Sequence, residues 1–98
     1  MDKIELMNHD PIIRADHAPQ PVVTVKIDGQ TVGYLLREPW LQVGRPQWRV
    51  SFQMEAWLNG IIGEKKDWRS RTFSLAAWYH MLDNSTLVEA WRKEQRND

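Results

Sequence analysis

Residues 22–36 read Val22-Val23-Thr24-Val25-Lys26-Ile27-Asp28-Gly29-Gln30-Thr31-Val32-Gly33-Tyr34-Leu35-Leu36. Two apolar runs flank Asp28-Gly29. Asp-Gly in that setting favours a two-residue type I′ turn, because both turn positions need positive φ. A turn at 28–29 sets Ile27 opposite Gln30, Val25 opposite Val32, and Val23 opposite Tyr34. Those pairs share one mostly apolar face, while Thr24, Lys26, Thr31 and Gly33 fall on the other. Turn chemistry and the side-chain period of two agree on a hairpin with Val23, Val25, Val32 and Tyr34 toward the core.

Upstream, Lys3-Ile4-Glu5-Leu6 alternates and suits a short strand. Pro11, Pro19 and Pro21 then punctuate a segment that reads as extended or irregular, so residues 1–20 are expected to be partly irregular. Downstream, Pro39, Gly44 and Pro46 mark a connection. From Trp48, apolar Trp48, Val50, Phe52, Met54, Ala56 and Leu58 alternate with Arg49, Ser51, Gln53, Glu55 and Trp57. That period predicts a half-buried strand, central in its sheet. Asn59-Gly60 is a good tight-turn dipeptide, but pairing across it would set Phe52 against Asp67 and Met54 against Lys65. A longer loop through Gly63-Glu64-Lys65-Lys66-Asp67 is therefore expected, followed by a strand from Trp68 to Phe73.

The C-terminal quarter is helical. Ser74 is a plausible N-cap, and Leu75, Trp78, Tyr79 and Leu82 follow one helix face. Leu87, Val88 and Trp91 fall on the opposite side of that helix at 100° per residue. Two helices broken at Asp83-Asn84-Ser85 remove the conflict, with Thr86 and Glu89 as a capping box for the second. The tail from Arg92 to Asp98 is expected to fray into solvent.

The chain has 98 residues, six of them tryptophan, and a formal net charge of zero. The length suits one domain, 1–98, with the tryptophans filling a thin core. A neutral balance argues against a general polyanion binder. Residues 37–71 are nonetheless mildly basic, with Arg37, Arg45, Arg49, Lys65, Lys66, Arg69 and Arg71. The absence of cysteine excludes disulfides, thiolate nucleophiles and Cys-based metal sites, and it leans toward a reducing compartment. The charged start carries no signal peptide, and no window is apolar enough to span a bilayer. A cytoplasmic location is expected.

Four groups of residues invite a chemical reading. His9-Asp10 and Asp16-His17 are possible metal ligands, but without a known ligand spacing they read as solvated loop residues. His80 has no nucleophile near it in sequence and reads as a partly exposed helix residue. The glycines form no phosphate-binding pattern. Trp68-Arg69-Ser70-Arg71, with Arg49 and Trp57 on the preceding strand, interleaves arginine with aromatics. Such a surface stacks bases, anchors a protein partner, or carries arginine laid over tryptophan with no partner at all.

These readings converge on an α+β domain: a small twisted antiparallel sheet of four to five strands, with two C-terminal helices packed on one face. Strict alternation puts Arg49, Gln53, Trp57, Arg69 and Arg71 together on the sheet face away from the helices, as a partner-binding surface. The expected role is a small non-catalytic protein-interaction module without cofactor or metal, its partner another protein. A nucleic-acid-binding module using the Arg/Trp face is the alternative, and a small enzyme without recognisable motif the third reading. A homo-oligomer through a sheet edge also fits this class.

Overall fold

The computed structural model describes residues 4–38 and 46–96, apart from the side chains of His17, Ser85 and Arg96. Four antiparallel strands form one sheet in sequence order: β1 (Ile4–Arg14), β2 (His17–Ile27), β3 (Gln30–Arg37) and β4 (Trp48–Val50). Helix α1 (Phe52–Ile62), a 3₁₀ turn (Trp68–Ser70), α2 (Leu75–Leu82) and α3 (Ser85–Arg96) follow. The α+β class, the antiparallel sheet and the two C-terminal helices are as the residues predict.

The turn at Asp28-Gly29 has φ of 51° and 83°, as a type I′ turn requires. Ile27 pairs with Gln30 and Lys26 with Thr31. A bulge then intervenes, so that Val25 lies opposite Gly33 and Val23 opposite Leu35. The extra residue is Val32. It stays in the core and reverses the parity of everything after it. Leu35 therefore faces the helices, and Tyr34 turns to the other face, its ring edge-on to His9 at 5.4 Å. Val23, Val25 and Val32 are buried as expected, whereas the inward placement of Tyr34 is corrected by the bulge.

Residues 4–27 are more regular than their prolines suggest. β1 and β2 each run for 11 residues. Pro11 and Pro19 sit where the β1–β2 register shifts, the positions at which a missing N–H costs the ladder least. The last β2–β3 pair is Val22 with Leu36. Beyond it β1 and β2 continue as a two-stranded ribbon, projecting by about 17 Å for the five residues 17–21.

The expected long strand 48–58 and the strand 68–73 are both corrected. Only Trp48–Val50 is strand, and the chain turns into α1 at Ser51. Ser51 is extended, and its hydroxyl accepts from the Met54 N–H at 3.1 Å, an N-cap. Gln53 to Leu58 contains good helix formers and no β-branched residue. Buried Met54 and Leu58 and partly buried Ile61 make the inward stripe, a spacing of four and three that the alternating pattern masks. Gly63 ends the helix in the left-handed region at φ 74°, its N–H donating to the Asn59 carbonyl at 2.9 Å. The 68–73 segment forms the 3₁₀ turn, and its one ladder pairing with the sheet among the described residues is the bridge from Phe73 to Trp48.

Ser74 caps α2 by accepting from the Ala77 N–H at 3.2 Å, and the helices break at Asp83-Asn84. The cap of α3 is Asn84, whose Oδ1 accepts from the Thr86 N–H at 2.8 Å, in place of the expected Thr86–Glu89 box. α3 stays helical through Arg96, and Arg92 forms a bidentate pair with Asp28 at 2.7 Å, so this end does not fray as expected. The Asp28 carboxylate holds the Arg92 guanidinium above its ordinary pKa. The expected connection at 39–46 lies outside the described residues except for Pro46, as do Trp40 and Arg45.

The core lies between the sheet and the helices. Ile4, Val23, Val25, Ile27, Leu35 and Val50 meet Met54, Leu58, Trp78, Leu82, Val88 and Trp91 in one cluster. Trp78 is fully buried, and its indole N–H donates to the Trp48 carbonyl at 2.8 Å. Among the described residues, no helix is long and apolar enough to cross a membrane.

Candidate functional site

The replacement of a strand by α1 redistributes the five residues expected to share a face. Arg49 stays on β4, opposite Leu36, and pairs with the buried carboxylate of Glu38. Gln53 is exposed in the first turn of α1. Trp57 is half-buried and packs against the core, its indole nitrogen lacking a hydrogen-bond partner among the described residues. Residues 55 and 57 lie 200° apart around a helix at 100° per residue, and it is Glu55 that faces the 3₁₀ turn carrying Arg69. The common sheet face of Arg49, Gln53, Trp57, Arg69 and Arg71 therefore does not form. Arg69 and Arg71 do stay together, beside Trp68.

A different aromatic joins them. Phe52 opens α1 and is 72% exposed, the largest exposure among the big apolar side chains described. The guanidinium carbon of Arg69 lies 3.6 Å from its ring centroid. Arg69 is held there from two sides. Its backbone N–H donates to the Glu55 carboxylate at 3.0 Å, and its Nε donates to the Val50 carbonyl at 3.4 Å. With Nε engaged, the two terminal NH₂ groups of the fork face no carboxylate among the described residues.

Arg71 repeats the motif one step on. Its guanidinium stands 5.0 Å from the Trp68 ring, with the Lys66 ammonium 6.0 Å from the same ring. Trp68 is buried, and its position is fixed by Asn59. The Asn59 Oδ1 accepts from the Trp68 indole N–H at 3.0 Å and from the Lys66 N–H at 3.1 Å. The Asn59 amide donates to the Lys66 carbonyl at 3.2 Å. One side chain thus ties the loop 63–67 to α1 and sets the aromatic on which Arg71 rests. The Arg–Trp part of this surface is legible in residues 68–71. Phe52 was missed because an alternating strand would have turned it inward.

The remaining candidates stay apart. His9, Asp10 and Asp16 are exposed along the β1–β2 ribbon, and His80 is exposed on α2. Among the described residues, no three His, Asp or Glu side chains come close enough to hold a metal ion. A cavity of about 570 Å³ opens between α1 and α3, lined by Ile61, Ile62, Met81 and Leu87 beside Trp68.

No protein-family model matches the chain, and neither a curated protein nor a solved structure matches it.

Proposed function

We propose that the protein is a non-catalytic protein-binding module. It docks an acidic segment of another protein onto the surface formed by Phe52, Arg69 and Arg71, with Trp68 buried beneath Arg71. The observation that carries this reading is the exposed Phe52 ring with the Arg69 guanidinium 3.6 Å above it and, among the described residues, no carboxylate on the fork. An aromatic under a pre-positioned arginine is the composition of an interface anchor. The ring offers apolar area, and the two free NH₂ groups offer a planar bidentate site for a carboxylate. Lys66 and Arg71, both beside the Trp68 ring, add positive charge, which favours a partner rich in Asp and Glu.

A selection of displayed peptides on the immobilised protein tests this reading. Enriched peptides are expected to place Asp or Glu beside an apolar residue. Phe52→Ala and Arg69→Ala are each expected to weaken a selected peptide by about fivefold or more, the scale of an interface anchor. Gln95→Ala, on the exposed end of α3, should leave binding unchanged. Selected peptides without acidic residues, or binding untouched by Phe52→Ala, would refute the site. Single-stranded RNA bound in place of peptide, with affinity collapsing as salt rises, would establish the nucleic-acid alternative.

A further inference from the structure

We infer that two copies of this chain pair along the outer edges of their β1 strands, forming a two-fold dimer with one continuous eight-stranded sheet. β1 is the edge of the sheet, and among the described residues no strand pairs with its outer side. It is long for an edge, 11 residues, and Met7 and Ile13 on it are 44% and 70% exposed. An edge of that length with exposed apolar side chains is a template for a second strand.

The register follows from the strand itself. Glu5, Met7 and His9 share one face, because they pair with Lys26, Thr24 and Val22. The irregularity at Asp10-Pro11 reverses the parity, so that Ile12, opposite Gln20, lies on that same face. Arg14, two residues on, also lies there, and Ile13 lies on the opposite face with Leu6. A two-fold axis through His9 then sets Glu5 opposite Arg14 of the second copy, Met7 opposite Ile12, and Leu6 opposite Ile13. Every pair joins residues of one face. Opposite charges meet at both ends of the ladder, and the exposed Met7 and Ile13 are each covered. His9 meets His9 of the second copy on the axis. Without the bulge, the same register would pair side chains of opposite faces. Asp10 and Pro11 together stand opposite Asn8, and Pro11 removes one donor from the ladder, a loss that the unbroken pairing on either side tolerates.

This arrangement also accounts for the ribbon. Residues 10–14 extend past the sheet of their own protomer, and in the dimer they lie along residues 5–8 of the second copy. Each ribbon thus completes the sheet edge of its neighbour. Glu5 is available for Arg14, since it makes no ion pair with Lys26, which faces it across β1–β2.

Sedimentation velocity across a wide range of protein concentration tests the inference. A monomer–dimer equilibrium is expected. Glu5→Arg and Arg14→Glu should each raise the dissociation constant about tenfold, because each places like charges opposite at two symmetric positions. The double variant Glu5→Arg/Arg14→Glu should recover most of the loss. Ile13→Lys should abolish the dimer, with an unchanged thermal midpoint in dilute solution showing that the monomer stays folded. A sedimenting monomer at every concentration would overturn the inference. So would a dimer indifferent to the single charge reversals, or one that the double variant fails to restore.

Discussion

Gly33 lies directly beneath Met54. A Cβ on Gly33 would stand 2.6 Å from the Met54 Cβ and 2.7 Å from its Cα. This contact seats α1 tightly on the sheet, and it exists because the bulge at Val32 turns Gly33 toward the helices. A side chain there would lift α1 and with it the Ser51 cap, which also accepts the Tyr34 N–H at 3.3 Å. Gly33→Ala is expected to destabilise the fold by about 1–3 kcal/mol, the scale of overpacking in a tight core. Chemical denaturation measures it, and a midpoint equal to wild type would show that α1 is not seated on Gly33.

Trp78 combines full burial with a bond that phenylalanine cannot replace. Its ring meets Phe73 edge-on at 5.0 Å, and its N–H reaches the Trp48 carbonyl. Trp78→Ala should cost about 3–5 kcal/mol. Trp78→Phe keeps much of the packing but leaves that carbonyl with one partner fewer, and should cost about 1–3 kcal/mol. Equal losses for the two variants would show that packing, not the hydrogen bond, sets the stability there.

What the residues reveal and what they hide can be separated at particular positions. Ser74, Trp78 and Leu82 declare α2 because cap and stripe agree, and Asp83-Asn84 declares the break because the stripe changes side. Asp28-Gly29 declares its turn because the φ requirement is local. The bulge at Val32 is invisible, because no residue type demands it and the gain comes from seating Met54 over Gly33. In α1 two periods coexist. Val50, Phe52, Met54, Ala56 and Leu58 alternate, while Met54, Leu58 and Ile61 make a helical stripe. Ser51 and Gly63 decide in favour of the helix through its two ends. The candidate site inherits that ambiguity: Arg69, Arg71 and Trp68 are contiguous in sequence and stay together, whereas Phe52 and Trp57 exchange exposure once the strand becomes a helix.

The Arg92–Asp28 pair joins α3 to the β2–β3 turn across 64 residues of sequence. Both side chains are about a third exposed, at 31% and 29%, so the pair is screened and contributes little to global stability. Its effect is local. Arg92→Ala is expected to leave the thermal midpoint nearly unchanged while speeding amide hydrogen exchange in the last turns of α3. High salt should speed the same amides in the wild type. Unaltered exchange in Arg92→Ala would mean that Val88 and Trp91 alone hold the helix down.

Asn59 is the residue on which the candidate surface depends, although it lies beneath that surface. Its carboxamide uses both ends: Oδ1 takes the Lys66 and Trp68 donors, and Nδ2 gives to the Lys66 carbonyl. Asn59→Ala strips partners from two donors and a carbonyl in a half-buried setting, a loss of about 2–3 kcal/mol at the scale of unsatisfied buried groups. Asn59→Asp keeps both acceptor bonds and loses only the donor, so it should cost less. The two variants should also differ at the surface. With Trp68 unpinned in Asn59→Ala, the ring beneath Arg71 no longer has a fixed position, and the selected acidic peptide should bind more weakly in a fully folded sample. Asn59→Asp keeps Trp68 in place, and its affinity should stay closer to wild type. Near-ultraviolet circular dichroism, sensitive to tryptophan packing, should fall in Asn59→Ala with little change in helix content. A wild-type tryptophan signal in that variant would show that Trp68 is positioned by its burial rather than by Asn59.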